Sequence, residues 1–105
     1  MPHLKLGRTV TTSGIANAMK ENSDFEVFVM DCMNRYTNHD WGELSDSDRE
    51  ANDEALSTGG DRIFAAYDMN KDYNVKNSYD MSEKSIWIIT EWDRSVTTVL
   101  FPGEY

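Results

Sequence analysis

The chain has 105 residues, 19 acidic and 10 basic, with a formal net charge of −9 and a pI near 4.5. Length and a hydrophobic content of 39% fit one domain over residues 1–105 with a single core, and 11% aromatic residues argue against disorder. Acidity without a basic stripe speaks against direct binding to nucleic acid phosphates. No stretch approaches the ~18 apolar residues that a membrane span needs. The N-terminal stretch lacks the pattern of a cleaved leader. The single cysteine, Cys32, leaves no internal disulfide and suits a reducing compartment, so the expected location is cytoplasmic.

In chain order, "LKLGRTVTT" predicts a short strand in which Gly7 marks a bulge or a close backbone approach. Thr12 or Ser13 then caps a short helix with Ile15, Ala16 and Met19 on one face. "SDFEVFVMDCMNRYTNH" is the clearest helix. Ser23 and Glu26 have capping-box spacing, and Phe25, Phe28, Val29, Cys32 and Tyr36 recur at helical intervals. "DREANDEAL" predicts a third helix, capped by Ser45 and ended by Gly59-Gly60.

From Arg62 the pattern changes to strands: "RIFAAY", then "SIWIITE" as a buried central strand, then "VTTVLF" returning antiparallel after the turn "WDRS". The polar stretch around residues 70–84 reads as a loop. The order β-α-α-α-β-β-β predicts an α+β fold: an antiparallel sheet of about four strands with three helices on one face. Phe25, Phe28, Val29, Cys32, Ile86, Ile88 and Leu100 are expected to share the core. The sequence leaves open which strand the first one joins.

"DWGEL", "DREANDEAL", the glycines before "RIFAAY" and, most specifically, "IWIITEWDRSVTTVLFPGEY" resemble a family of small proteins from Firmicutes genomes and mobile elements. Its members carry labels such as plasmid-related protein or type I restriction endonuclease subunit M. The resemblance covers most of the chain outside residues 70–84 and implies a mobile-element setting, with defence or counter-defence as its context. It does not imply methyl transfer. No Asn-Pro-Pro-Tyr-type motif is present, and both prolines, Pro2 and Pro102, are isolated.

Charge is concentrated between His39 and Asp61, where Asp40, Glu43, Asp46, Asp48, Glu50, Asp53, Glu54 and Asp61 face one basic residue, Arg49. Calcium loops need alternating oxygen ligands around a turning glycine, and this stretch lacks that spacing; His39 has no second histidine nearby. No metal and no cofactor are expected. Glu91 and Asp93 flank a turn beside Arg94, where a turn-stabilising ion pair competes with acid–base chemistry. Cys32 on an apolar helix face reads as a small buried hydrophobe. No Gly-x-Ser-x-Gly elbow and no phosphate-binding glycine loop is present. Trp87 reads as core, whereas Trp41 and Trp92 are either lids over the core or anchors for a partner.

The expectation is a non-enzymatic acidic protein that meets a basic protein surface, in concrete form an anti-CRISPR or anti-restriction DNA mimic acting on a CRISPR effector or restriction complex. The interaction candidates are Asp40, Trp41, Glu43, Asp46, Asp48, Glu50, Asp53, Glu54, Trp92, Asp93 and Arg94. The competing readings are a solvated acidic face on a regulatory interaction module, and a small enzyme or ligand binder built on Glu91, Asp93 and Arg94.

Overall fold

A computed structural model describes residues 4–69 and 84–105. The strand β1 (Arg8–Thr11) is followed by three helices, α1 (Ser13–Glu21), α2 (Ser23–Thr37) and α3 (Asp46–Thr58). Three strands follow, β2 (Ile63–Asp68), β3 (Ser85–Thr90) and β4 (Val96–Leu100), and a 3-10 turn over Pro102–Glu104. The fold is α+β in the expected order. The loop expected around residues 70–84 lies, but for Lys84, outside the described residues.

The sheet order is β1-β4-β3-β2. β2, β3 and β4 form the expected antiparallel meander, but β1 runs parallel to β4, so the sheet is mixed and not wholly antiparallel. The reason is topological. A parallel neighbour requires a long crossover, and the helical stretch between β1 and the meander supplies it. Gly7 makes this entry possible. Its φ is +62°, and a Cβ there would run into the Arg94 and Ser95 carbonyls of the β3–β4 turn.

Each helix starts on a side-chain cap. Thr12 Oγ1 accepts from the Ile15 N–H, and Ser45 Oγ accepts from the Asp48 N–H. In α2 the cap is Asn22, not Ser23: its Oδ1 accepts from the N–H groups of Asp24 and Phe25. Asparagine is as good a cap as serine, and taking the earlier residue extends the helix by one position.

One face of the sheet carries the core. Ile63, Ala65, Tyr67, Ile86, Ile88 and Val99 meet Ile15 and Ala18 of α1, Phe25, Val29, Cys32 and Tyr36 of α2, and Ala55 of α3. A chain of hydroxyls crosses this core. Thr97 Oγ1 donates to the Leu6 carbonyl at 2.7 Å and lies 2.8 Å from Thr90 Oγ1, which lies 2.7 Å from Tyr36 Oη. With Thr97 donating to Leu6, Thr90 donates to Thr97 and accepts from Tyr36, whose hydroxyl also lies 3.3 Å from the Ile63 carbonyl. All three residues are fully buried, and every oxygen in the chain has a partner.

Three core expectations change. Leu100 is buried on the opposite face of the sheet, in register with Trp87. Trp87 also lies there, half-buried between Phe64, with ring centroids 5.0 Å apart, and Tyr105 at 5.7 Å. The alternation of a β-strand forces this, because Ile86 and Ile88 take the helix side. Phe28 is half-buried at the margin of the core, its ring 6.1 Å from Phe25.

The two phenylalanines should therefore separate in a mutational test. Phe25→Ala should cost about 3–5 kcal/mol of unfolding free energy, and Phe28→Ala less than half as much. Urea denaturation of both variants measures this; equal losses would place Phe28 at the centre of the core.

Candidate functional site

The acidic stretch begins where α2 ends. His39 takes φ of 64° just past the last turn, its N–H donating to the Tyr36 carbonyl and the Asp40 N–H to the Arg35 carbonyl. These two bonds form a Schellman end, with histidine in the place that glycine usually takes. A bidentate contact from Arg35 to Asp40, at 2.8 and 3.3 Å, closes it. Asp40 also accepts from the Gly42 N–H through Oδ1, and its carbonyl accepts from Tyr67 Oη at 2.7 Å. The Arg35 hydrogen bond, helped by the Gly42 N–H and by nearby arginine charge, holds the Asp40 carboxyl below its ordinary value. The Arg35 guanidinium lies 4.8 Å from the centroid of the Tyr67 ring.

The chain then runs along the outer edge of β2. The Ala66 N–H donates to the Trp41 carbonyl, and the Glu43 N–H donates to the Ala66 carbonyl at 2.7 Å. Glu43 Oε2 accepts from the Asp68 N–H. Nearly two turns into α3, Asn52 grips Phe64 on both sides, donating to its carbonyl at 2.6 Å and accepting from its N–H at 3.1 Å. Gly42 is required at this approach: its φ is +74° and a Cβ would collide with the Ala66 carbonyl. Trp41 is 4% exposed, stacked on His39 and edge-on to Tyr36, and its Nε1 donates to Asp53 Oδ1 at 3.0 Å.

The expected interaction residues thus divide. Asp40, Trp41, Glu43 and Asp53 brace the α2–α3 connection against β2. Asp46 and Asp48 occupy the first turn of α3, at the positive end of its dipole. With Glu50 and Glu54 they are exposed, and no hydrogen bond joins any of the four carboxylates to another described residue. Arg49, the basic residue of the stretch, donates to the Gly42 carbonyl at 2.9 Å.

The turn residues divide in the same way. Asp93 accepts from the Ser95 N–H, and this hydrogen bonding lowers its pKa. Arg94 does not pair with the Glu91 carboxylate. From a left-handed backbone with φ of 60°, it donates to the carbonyls of Asp61, Glu91, Trp92 and Ala55. It thereby caps the carbonyl end of α3. Trp92 is 62% exposed, and its carbonyl shares the Arg94 guanidinium with the Ala55 carbonyl of that helix end.

On the helix-free face a shallow cavity of about 320 Å³ opens over Ile89, Thr98 and Leu100, rimmed by Arg62, Glu91, Glu104 and Tyr105. Neither Asp93 nor Arg94 lines it. Glu104 Oε1 accepts from Thr12 Oγ1 at 2.7 Å and from the Phe101 N–H. Burial pushes the Cys32 thiol up to about 12 and the Tyr36 hydroxyl likewise to about 12. Cys32 stays a neutral thiol in the core. Among the described residues no group of three or more His, Cys, Asp or Glu side chains is arranged to hold a metal ion, and no helix is long and apolar enough to cross a membrane.

Asn52, Tyr36, Thr90 and Thr97 carry more of this arrangement than the sequence signals. An asparagine inside a helix, where its propensity is poor, was the available clue to the edge clamp. Comparisons with family models, curated proteins and solved structures find no match for this chain.

The Asp40 brace has a pH signature. Its folded pKa is depressed, so its contribution is present above the unfolded value of ~4 and is lost as pH falls through the folded pKa. The stability difference between wild type and Asp40→Asn should be constant near neutrality and vanish in acid. Chemical denaturation at a series of pH values tests this, and a difference that persists in strong acid would assign Asp40 another role.

Proposed function

We propose that the protein acts by binding, without chemistry of its own, through the outer face of α3. The observation that carries this reading is the charge left over once the structural bonds are made. Asp46, Asp48, Glu50 and Glu54 are exposed, while Arg49, their nearest cation in sequence, is committed to a backbone carbonyl. Carboxylates four apart, such as Glu50 and Glu54, repel at a few tenths of a kcal/mol and contribute nothing to the fold. Asp61 and Trp92 lie at the far end of the same helix, held there by Arg94, and add an exposed aromatic to the acidic surface.

Such a surface suits a basic groove built for nucleic acid backbone, and long-range charge would accelerate the encounter. With the mobile-element resemblance, the concrete reading is an anti-CRISPR or anti-restriction protein that acts in the cytoplasm on a nucleic-acid-handling complex. A second reading, a small-ligand binder, is favoured by the cavity beside Glu91. Thr98→Trp should fill that cavity; it would abolish thermal stabilisation by a bound small molecule and leave inhibition of a defence complex unchanged.

The variant Glu50→Gln/Glu54→Gln tests the leading reading and leaves Asp53 and the first-turn acids Asp46 and Asp48 in place. Its melting temperature should hold or rise slightly. Its inhibition of a CRISPR effector or restriction complex should weaken several-fold at low salt, through a slower association rate, and converge on wild type as salt is raised. Unchanged inhibition, or a wild type that inhibits neither class of complex, rejects the reading.

A further inference from the structure

The two edges of the sheet are treated differently. Along β2 the outward backbone groups of Phe64 and Ala66 and the Asp68 N–H are all paired, by Asn52, Trp41 and Glu43. Along β1 they are not. The bonds from Arg8 N–H to Ser95 and from Thr12 N–H to Val99 fix the phase of the strand, so the groups of Arg8, Val10 and Thr12 face β4. Those of Thr9 and Thr11 face outward, both residues are exposed, and no described residue pairs with them. An open edge of this kind is a template for another strand.

We infer that the strand added there is β1 of a second copy, antiparallel about a two-fold axis at Val10, which joins two four-stranded sheets into one. The sequence around Val10 is self-complementary. In this register Thr9 faces Thr11 of the second copy in a hydrogen-bonded pair, so all the outward groups of both residues are satisfied, and Val10 faces its own copy. Arg8 is set against Thr12 of the second copy, not against another Arg8. Thr12 Oγ1 holds Glu104 on the same face of the sheet as Arg8, so each Arg8 meets a carboxylate across the interface.

Charge permits this occupant, because the two copies would meet at the edges farthest from their acidic stretches. Lys5 and Arg8 are exposed, and neither side chain bonds a described carboxylate. They give a chain of charge −9 one cationic edge, while the acidic stretch lies along the opposite one. Because the β2 edge is capped, pairing stops at two copies and closes. This inference does not rest on the proposed function.

Light scattering coupled to gel filtration, from micromolar to near-millimolar protein, should show a mass approaching twice 12.1 kDa. Thr9→Pro removes an outward N–H at an edge position where proline is tolerated, and should weaken dimerisation ~10-fold or more with the circular dichroism of the monomer unchanged. Arg8→Glu should weaken it too. Val10→Cys should cross-link readily, since facing residues of a non-hydrogen-bonded pair lie ~4.5 Å apart, within disulfide reach. Thr9→Cys, displaced two residues from its own copy, should not. A mass of one chain throughout, a dimer untouched by Thr9→Pro, or equal cross-linking of the two cysteine variants overturns the inference.

Discussion

The outer edge of β2 is the constraint on which most of this structure turns. The strand ends the sheet, and each buried backbone group left unpaired there would cost about 1–3 kcal/mol. The chain meets that requirement with the segment it calls on least obviously, the acidic connection and the first half of α3. Once Trp41 and Glu43 must lie beside Ala66, Gly42 has to be glycine and His39 has to reverse the chain in a left-handed conformation. Trp41 is then trapped over Tyr36, and Asp53 becomes its hydrogen-bond acceptor. The clamp by Asn52 sets the position of α3, and Arg94 fixes its far end to the β3–β4 turn.

The same arithmetic explains where the charge goes. Arg94 and Arg49 spend their guanidinium groups on backbone carbonyls, and Arg62 reaches the hydroxyl of Tyr105. Among the described residues, Arg35 is the cation committed to a carboxylate, that of Asp40. Cations used as carbonyl caps leave acids unbalanced, and the imbalance collects on the outer face of α3. Charge count alone does not distinguish a bracing carboxylate from an idle one. Asp53 and Glu54 are neighbours in sequence, yet one receives the Trp41 indole and the other faces solvent.

Most of the fold was legible in the sequence because it rests on local signals. Apolar spacing marked α2, β-branched runs marked β3 and β4, and Ser45 with Gly59-Gly60 bounded α3. What was not legible depends on partners far apart in the chain. The parallel placement of β1 reflects a pairing between residues about ninety positions apart, and nothing in "RTVT" names its neighbour. Trp87 was expected in the core because its strand is apolar throughout, but its phase within the strand placed it on the helix-free face. The site was half legible. The concentration of acids was plain, whereas the use of Asp40, Glu43 and Asp53 as braces needed the positions of Arg35, Asp68 and Trp41.

The acidic helix and the open strand edge occupy opposite sides of one sheet, and that separation matters for how the two readings combine. Strands lie ~4.8 Å apart, so in a two-fold dimer the outermost strands would be separated by seven spacings, roughly 34 Å before twist. The α3 helices would lie at the two ends of that span, far beyond a Debye length of ~8 Å at physiological salt. Their charges would not oppose pairing at the centre, where Arg8 approaches Glu104. Nor would pairing cover either helix. A target with basic sites spaced on that scale would gain avidity from the dimer, and a target with one basic groove would take one copy and leave the other free. The spacing of cationic surface on the target, more than its total charge, would then decide how tightly it is held.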